Sequence, residues 1–194
     1  MGIELERRFL VNLATFTADT TPRDCAKVIT QSYLNLRKPS IRLRRTVISK
    51  APRMPAQGDT RISTEYTLTI KTKHPTLAGA SNEDEYPLNA KAYNHMVTGK
   101  PTLDKVRVCI GPWEVDLFTG PLFGLCIAEI ELQPDGSGFP TTVPNWVGPE
   151  ITSMSRLSNA SLVEHNPKLT LALIREKFPW ILDDEDDDCN PCHC

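Results

Sequence analysis

Aromatic side chains are scarce, at 7% of 194 residues, and no uninterrupted apolar run approaches the roughly 18 residues that a membrane-spanning helix needs. The first scarcity argues against a nucleic-acid partner, because single-strand platforms stack bases on aromatic rings. The second argues against a helical membrane span. The opening residues MGIELERRFLV carry Glu4, Glu6, Arg7 and Arg8 and lack the basic start, apolar run and small-residue cleavage site of a secretory signal. Glu6 also stands where a myristoylation motif wants Ser or Thr. A cytoplasmic protein without a membrane partner is the expectation. Internal repeats and interior low-complexity segments are absent, and nothing speaks to oligomeric state.

Charge of one sign is lacking only on average. The net charge is −2, yet residues 183–188 are DDEDDD, so the body without those six acids carries 22 basic and 18 acidic residues. From Arg37 to Lys73 ten basic residues face only Asp59 and Glu65. Such a segment suits an anionic partner, or a solvated basic surface. Cys25, Cys109 and Cys126 lie in apolar contexts and read as reduced core cysteines. Cys189, Cys192 and Cys194 lie in CNPCHC, which has the spacing of c-type haem attachment and ligands of a zinc site. Directly after an acidic run at the chain end, this segment reads as a disordered tail.

Alternation of apolar and polar residues dominates the rest. It predicts strands at 3–11, 41–48, 64–73, 83–88, 104–110, 113–118 and 127–133, with an eighth at 31–36 or 149–153. Helices are fewer. Thr21-Pro22-Arg23-Asp24 has the form of a helix start, with Cys25, Val28 and Ile29 as its apolar face. Residues 88–98 repeat apolar side chains at helical spacing, and Asn166-Pro167 opens a last helix that Pro179 stops.

The polar face of nearly every strand is ionisable, and the charges segregate by strand. Glu4 and Glu6, Glu114 and Asp116, and Glu129 and Glu131 form acidic pairs. Arg42 and Arg44, Lys71 and Lys73, and Lys105 and Arg107 form basic ones. One arrangement that fits is an open sheet with a wet face laced by cross-strand ion pairs. The other is a barrel with its charges inside. Such an interior is costly when empty and sensible when a polyanion and its divalent cations fill it. Carboxylate pairs suit hard cations, and Arg and Lys clamp phosphate oxygens.

Nine segments in order resemble the CYTH domains, the triphosphate tunnel metalloenzymes. GIELERRFLV resembles the ExExK signature, ITQSYL a glutamine–glycine–tyrosine segment and SIRLRR a basic strand. YTLTIKTK, EDEYPL, DKVRV, WEVDLFTGPLFGL, AEIEL and EITSMSRLSNASL follow. The resemblance covers about residues 1–163 and points to the compact bacterial-type inorganic triphosphatases. It leaves 164–182 as a C-terminal helix and 183–194 as the tail.

The resemblance implies a mainly β (α+β) fold, a closed eight-stranded antiparallel barrel with a charged tunnel and a few flanking helices. It implies an enzyme that hydrolyses tripolyphosphate to phosphate and pyrophosphate with Mg²⁺ or Mn²⁺. Nucleoside or thiamine triphosphate cleavage, ATP cyclisation and non-catalytic polyphosphate binding are the alternatives. Glu4, Glu6, Glu129, Glu131 and Asp116 then match metal-binding positions, and Glu85 a further acidic tunnel position. Arg42, Arg44, Lys71, Lys105, Arg107 and Arg156 match phosphate clamps, with Arg8 and Lys73 as further substrate contacts. Tyr33 and Lys105 match a tyrosine–lysine pair that assists hydrolysis. Arg8 replaces the usual lysine, Glu83 stands where a basic residue is common, Pro87 where a second acid is common, and Ser32 where glycine is.

Overall fold

The computed structural model describes residues 2–18, 25–37, 39–50, 61–179 and 181. Nine strands form one antiparallel sheet: β1 (Gly2–Val11), β2 (Cys25–Asn35), β3 (Ser40–Lys50), β4 (Arg61–Lys73), β5 (Ser81–Pro87), β6 (Thr102–Ile110), β7 (Trp113–Phe118), β8 (Cys126–Leu132) and β9 (Val147–Glu150). They run in the order β5-β4-β3-β2-β6-β7-β8-β1-β9, and β5 also pairs with β1. That last pairing joins Gly2 to Glu83 and Glu4 to Ser81, closing an eight-stranded barrel. The short β9 takes the rest of the same β1 edge, at Phe9 and Val11. Closure leaves no long unpaired edge on β1.

Among the described residues four helices accompany the barrel: α1 (Leu13–Ala18), α2 (Ala90–Val97), α3 (Asn159–Glu164) and α4 (Pro167–Lys177). The sequence signals at α2 and α4 act as expected. Asn89 Oδ1 accepts the Ala92 N–H, and Asn166 Oδ1 accepts the Lys168 N–H. The helix expected from Thr21 through Ile29 does not form across its apolar half, because Cys25–Asn35 is strand β2. Its β-branched residues Val28, Ile29 and Thr30 are hydrogen-bonded between β3 and β6, and ladders on both sides outweigh a local helix-start signal. Residues 183–194, including CNPCHC, lie outside the described residues. Among the described residues no helix is long and apolar enough to cross a membrane.

Two apolar clusters divide the molecule. Outside the barrel wall, Phe9, Val11, Val108, Trp113, Val115 and Ile130 pack with Phe16 of α1 and Trp146 of the 139–147 segment. The second cluster joins Leu10, Leu103, Phe118 and Ile127 to Leu162, Ile174 and Ile181. In register these four strand residues share the inner face with Arg8, Lys105, Asp116 and Glu129, so this cluster fills one end of the barrel. Cys126 is a buried thiol, but Cys109 is disulfide-bonded, contrary to the expectation of reduced cysteines throughout. The register sets Cys25 directly opposite Cys109 across β2 and β6, a neighbourhood that sequence spacing conceals.

At Gly148 on β9 an added Cβ would stand 2.8 Å from the Leu10 carbonyl oxygen and 3.0 Å from Ile181 Cδ1. Backbone in a closed ladder cannot retreat cheaply, so Gly148→Ala should destabilise by about 1–3 kcal/mol. Chemical denaturation checks this.

Candidate active site

Strand register decides which charged side chains meet. Glu6 lies opposite Glu131 and Arg8 opposite Glu129, while Glu114 lies opposite Glu129 on the other edge of β8. Lys71 lies opposite Glu83, and Tyr33 opposite Arg42. All face inward, because residues of matching register share a face. They enclose a cavity of about 700 Å³ above the apolar end. Of the residues singled out in the sequence, Glu4, Glu6, Arg8, Tyr33, Arg42, Arg44, Lys71, Glu85, Arg107, Glu129 and Glu131 line it.

Four others stand elsewhere. Lys105 and Asp116 are fully buried behind the cavity wall. The Lys105 ammonium lies 2.5 Å from Asp116 Oδ2 and 5.6 Å from the Phe118 ring centroid. Asp116 also accepts Arg107 Nε at 2.7 Å and a terminal nitrogen of Arg107 at 2.6 Å. With both oxygens occupied by cations, Asp116 stands here as an internal counter-ion behind the cavity wall, whereas the resemblance matches it to a metal-binding position. Burial pushes its carboxyl up, but Lys105 and Arg107 outweigh that and hold it below the usual range. Lys73, at the end of β4, and Arg156, on the short 3-10 turn at Ser155–Leu157, are exposed and do not line the cavity.

The expected Tyr33–Lys105 pair is likewise separated. Tyr33 Oη accepts from Gln31 Nε2 at 3.2 Å, whereas Lys105 turns to Asp116 and, at 3.5 Å, Asn159 Oδ1. Burial pushes the Tyr33 phenol up to about 12 against the lowering influence of Arg42 and Arg44. At neutral pH it is therefore a protonated donor. Arg8 is also diverted. Its guanidinium donates to the Leu157 and Thr152 carbonyls at 2.8 and 3.2 Å, tying β1 to the segment after β9. A lysine ammonium could not span both carbonyls with a rigid fork.

Opposite charges occupy facing walls. Arg42 reaches only the Thr69 hydroxyl, at 3.1 Å, and neither Arg42 nor Arg44 has an ion-pair partner among the described residues. The Nε atoms of both are buried without an acceptor. Burial, reinforced by Arg42 and Arg107, pulls the Arg44 guanidinium down to about 10. On the other wall, burial and then Glu129 and Glu4 push the Glu6 carboxyl up to about 7. One wall calls for an anion and the other for a cation.

Known proteins place this arrangement. An inorganic triphosphatase of Acetivibrio thermocellus is 34% identical over 103 residues, a match covering 50% of this chain and 65% of the relative. The matched region thus spans less than two thirds of that relative's length. A crystal structure of the inorganic triphosphatase NE1496 superposes with a TM-score of 0.51 at 24% identity, covering 86% of this chain and 98% of that one. A second crystal structure, of the hypothetical protein NE1496, gives 0.50 at 24% identity over 84% of this chain and 99% of that one. The chain has the fold of an inorganic triphosphatase. These findings agree with the CYTH resemblance in the sequence. No protein-family model matches the chain.

Sequence reasoning passed over several lining residues. Glu114, named in the sequence as half of an acidic pair but given no site role, lines the cavity and pairs with Arg107. Thr69, Ser81, Ser158 and Asn159 also line the cavity. The last two sit at the start of α3, where no alternation marks them. Among the described residues no three acidic, His or Cys side chains already converge at metal-binding distance. The donor set still fits a divalent ion: Glu6 is crowded by Glu4 and Glu129, a like-charge strain that a cation relieves.

Two predictions follow from this electrostatic layout. The Glu6 carboxyl is raised from 4.5 to about 7, so between those values the native state keeps a proton that the unfolded chain has released. Without metal, stability should fall as pH rises through that window and stay lower above it. Glu6→Gln should flatten this slope, as thermal melts in EDTA from pH 4.5 to 8 would register. Asp116→Asn leaves the fully buried Lys105 without its counter-ion and should cost about 3–5 kcal/mol in urea denaturation.

Proposed function

We propose that the protein hydrolyses inorganic triphosphate to phosphate and pyrophosphate inside the barrel, with Mg²⁺ or Mn²⁺ as cofactor. The observation that carries this reading is the pair of half-buried arginines, Arg42 and Arg44, without carboxylate partners, facing a crowded carboxylate wall. A linear polyanion answers the first, and a divalent ion the second. Similarity to proteins named inorganic triphosphatase supports the same substrate.

Glu6 and Glu131, register partners across β1 and β8, would hold the ion with Glu4 and Glu129 beside them. When bound, a divalent ion supplies charge neutralisation to phosphate oxygens. Arg42, Arg44 and Arg107 hold the phosphate chain in line for attack by water, a contribution of positioning and electrostatics. Tyr33 acts as a neutral hydrogen-bond donor to a phosphate oxygen, since its phenol keeps its proton. Arg107 is itself positioned by Asp116 and Glu129.

Inorganic rather than organic triphosphate follows from the aromatics. Trp113 packs edge-on to Phe9 and Trp146, Trp146 is buried against Phe16, and Tyr66 packs on Tyr93. Trp146 and Tyr66 do not line the cavity, and Trp113, which does, is held edge-on by Phe9 and Trp146 rather than offering a face to a base or a thiamine ring.

The test is phosphate release from tripolyphosphate, ATP and pyrophosphate with Mg²⁺, Mn²⁺ or EDTA. Tripolyphosphate should be the best substrate, EDTA should stop release, and Glu6→Gln should lower kcat/KM by about 10²-fold or more. Arg44→Ala should act mainly on KM. ATP as the preferred substrate would overturn the inorganic reading. A raised melting temperature with tripolyphosphate but no release would leave a binding module.

A further inference from the structure

Lys71 differs from the two arginines of the facing wall. Arg42 and Arg44 lack carboxylate partners, whereas the Lys71 ammonium touches the Glu4 carboxylate and lies 3.2 Å from Glu83 Oε1. Register fixes this placement: β4 sets Lys71 opposite Glu83 on β5, and β5 pairs with β1 beside Glu4. Glu6, two residues along β1 on the same face, completes the acidic surroundings. Besides Arg8 near Glu6 and Arg107 on Glu129, the wall that collects negative charge therefore already contains a flexible ammonium, attached covalently to β4.

An ammonium and a divalent ion cannot share these oxygens. Both require the same lone pairs, and their mutual repulsion at contact distance is large even at the effective dielectric of a protein. Glu83 offers a second place for the ammonium.

We propose that Lys71 is the built-in counter-cation of the Glu4–Glu6 wall, that a divalent ion binds there by displacing it, and that Glu83 receives the displaced ammonium and keeps it in the cavity wall. Glu83 is thus a positioning residue, acting through Lys71. The inference rests on the triphosphatase reading for its substrate, while the exchange of cations rests on the contacts of Lys71 alone. Loading the metal turns Lys71 from a carboxylate partner into a phosphate partner. In the empty barrel it keeps the carboxylates from repelling one another.

The experiment is Mn²⁺ binding to the full chain at pH 8 without phosphate, followed by calorimetry. Lys71→Met removes the competitor and should tighten binding by about tenfold or more. Glu83→Gln leaves the ammonium only Glu4 and should weaken binding several-fold. Equal affinity of wild type and Lys71→Met overturns the inference, and so does tighter binding by Glu83→Gln. Absence of Mn²⁺ binding by wild type would overturn it together with the metal-dependent reading, which phosphate release tests separately.

Should Lys71→Met fail to fold, wild-type protein with ¹³C-dimethylated lysines gives a second readout. The Lys71 resonance, assigned by its loss in Lys71→Arg, should move on adding Mg²⁺ without phosphate. A resonance that stays in place overturns the inference.

Discussion

Everything in the barrel depends on one buried ion cluster, the Asp116 carboxylate held between Lys105 and Arg107. A lone charge at that depth would be strongly unfavourable, and the three compensate one another only because β6 and β7 pair in a register that sets Arg107 opposite Asp116. The cluster sits where the apolar end of the barrel meets its charged cavity. It lets a fully buried lysine border Phe118. It also leaves Arg107 aimed at Glu129 and Glu114, so the first charged layer of the cavity floor is fixed before any ligand arrives.

Above that floor the charges are deliberately incomplete. Glu129 and Glu4 have cationic partners, Glu6 is crowded by both, and Arg42 and Arg44 have hydroxyls or nothing. Folding stability alone would favour pairing every one of them or replacing them with apolar groups. The stability forgone is a preorganised field whose negative wall and positive wall face each other across about 700 Å³. A field of that kind acts on a bound polyanion without first having to reorganise.

Most of this was legible in the sequence because the side-chain period of a strand is two. Alternation found seven strands and sorted the charges onto one face, and segregation of acids from bases set a filled barrel beside a wet sheet, between which the family resemblance pointed to the barrel. What alternation cannot see is depth. Lys105 and Arg107 look equivalent in the sequence, yet one is sealed behind the wall and the other lines the cavity. Lys73 and Arg156 carry the right charge at positions beyond the cavity rim. The Thr21–Ile29 helix signal is local, and long-range pairing on both edges of β2 overrode it. Arg8 shows the remaining limit: its charge was read correctly, but its two carbonyl acceptors come from a segment more than 140 residues away.

The apolar packing of Leu10, Leu103, Phe118 and Ile127 against α3, α4 and Ile181 turns a tube into a cup. A linear anion cannot be threaded through a cup. Such an anion would enter end first, with any length beyond the cavity left in water, so that chain termini rather than chain interiors would meet the walls. On the proposed hydrolysis, products would have to back out past the same walls that drew the anion in. Their departure then depends on how much charge each fragment has left to lose.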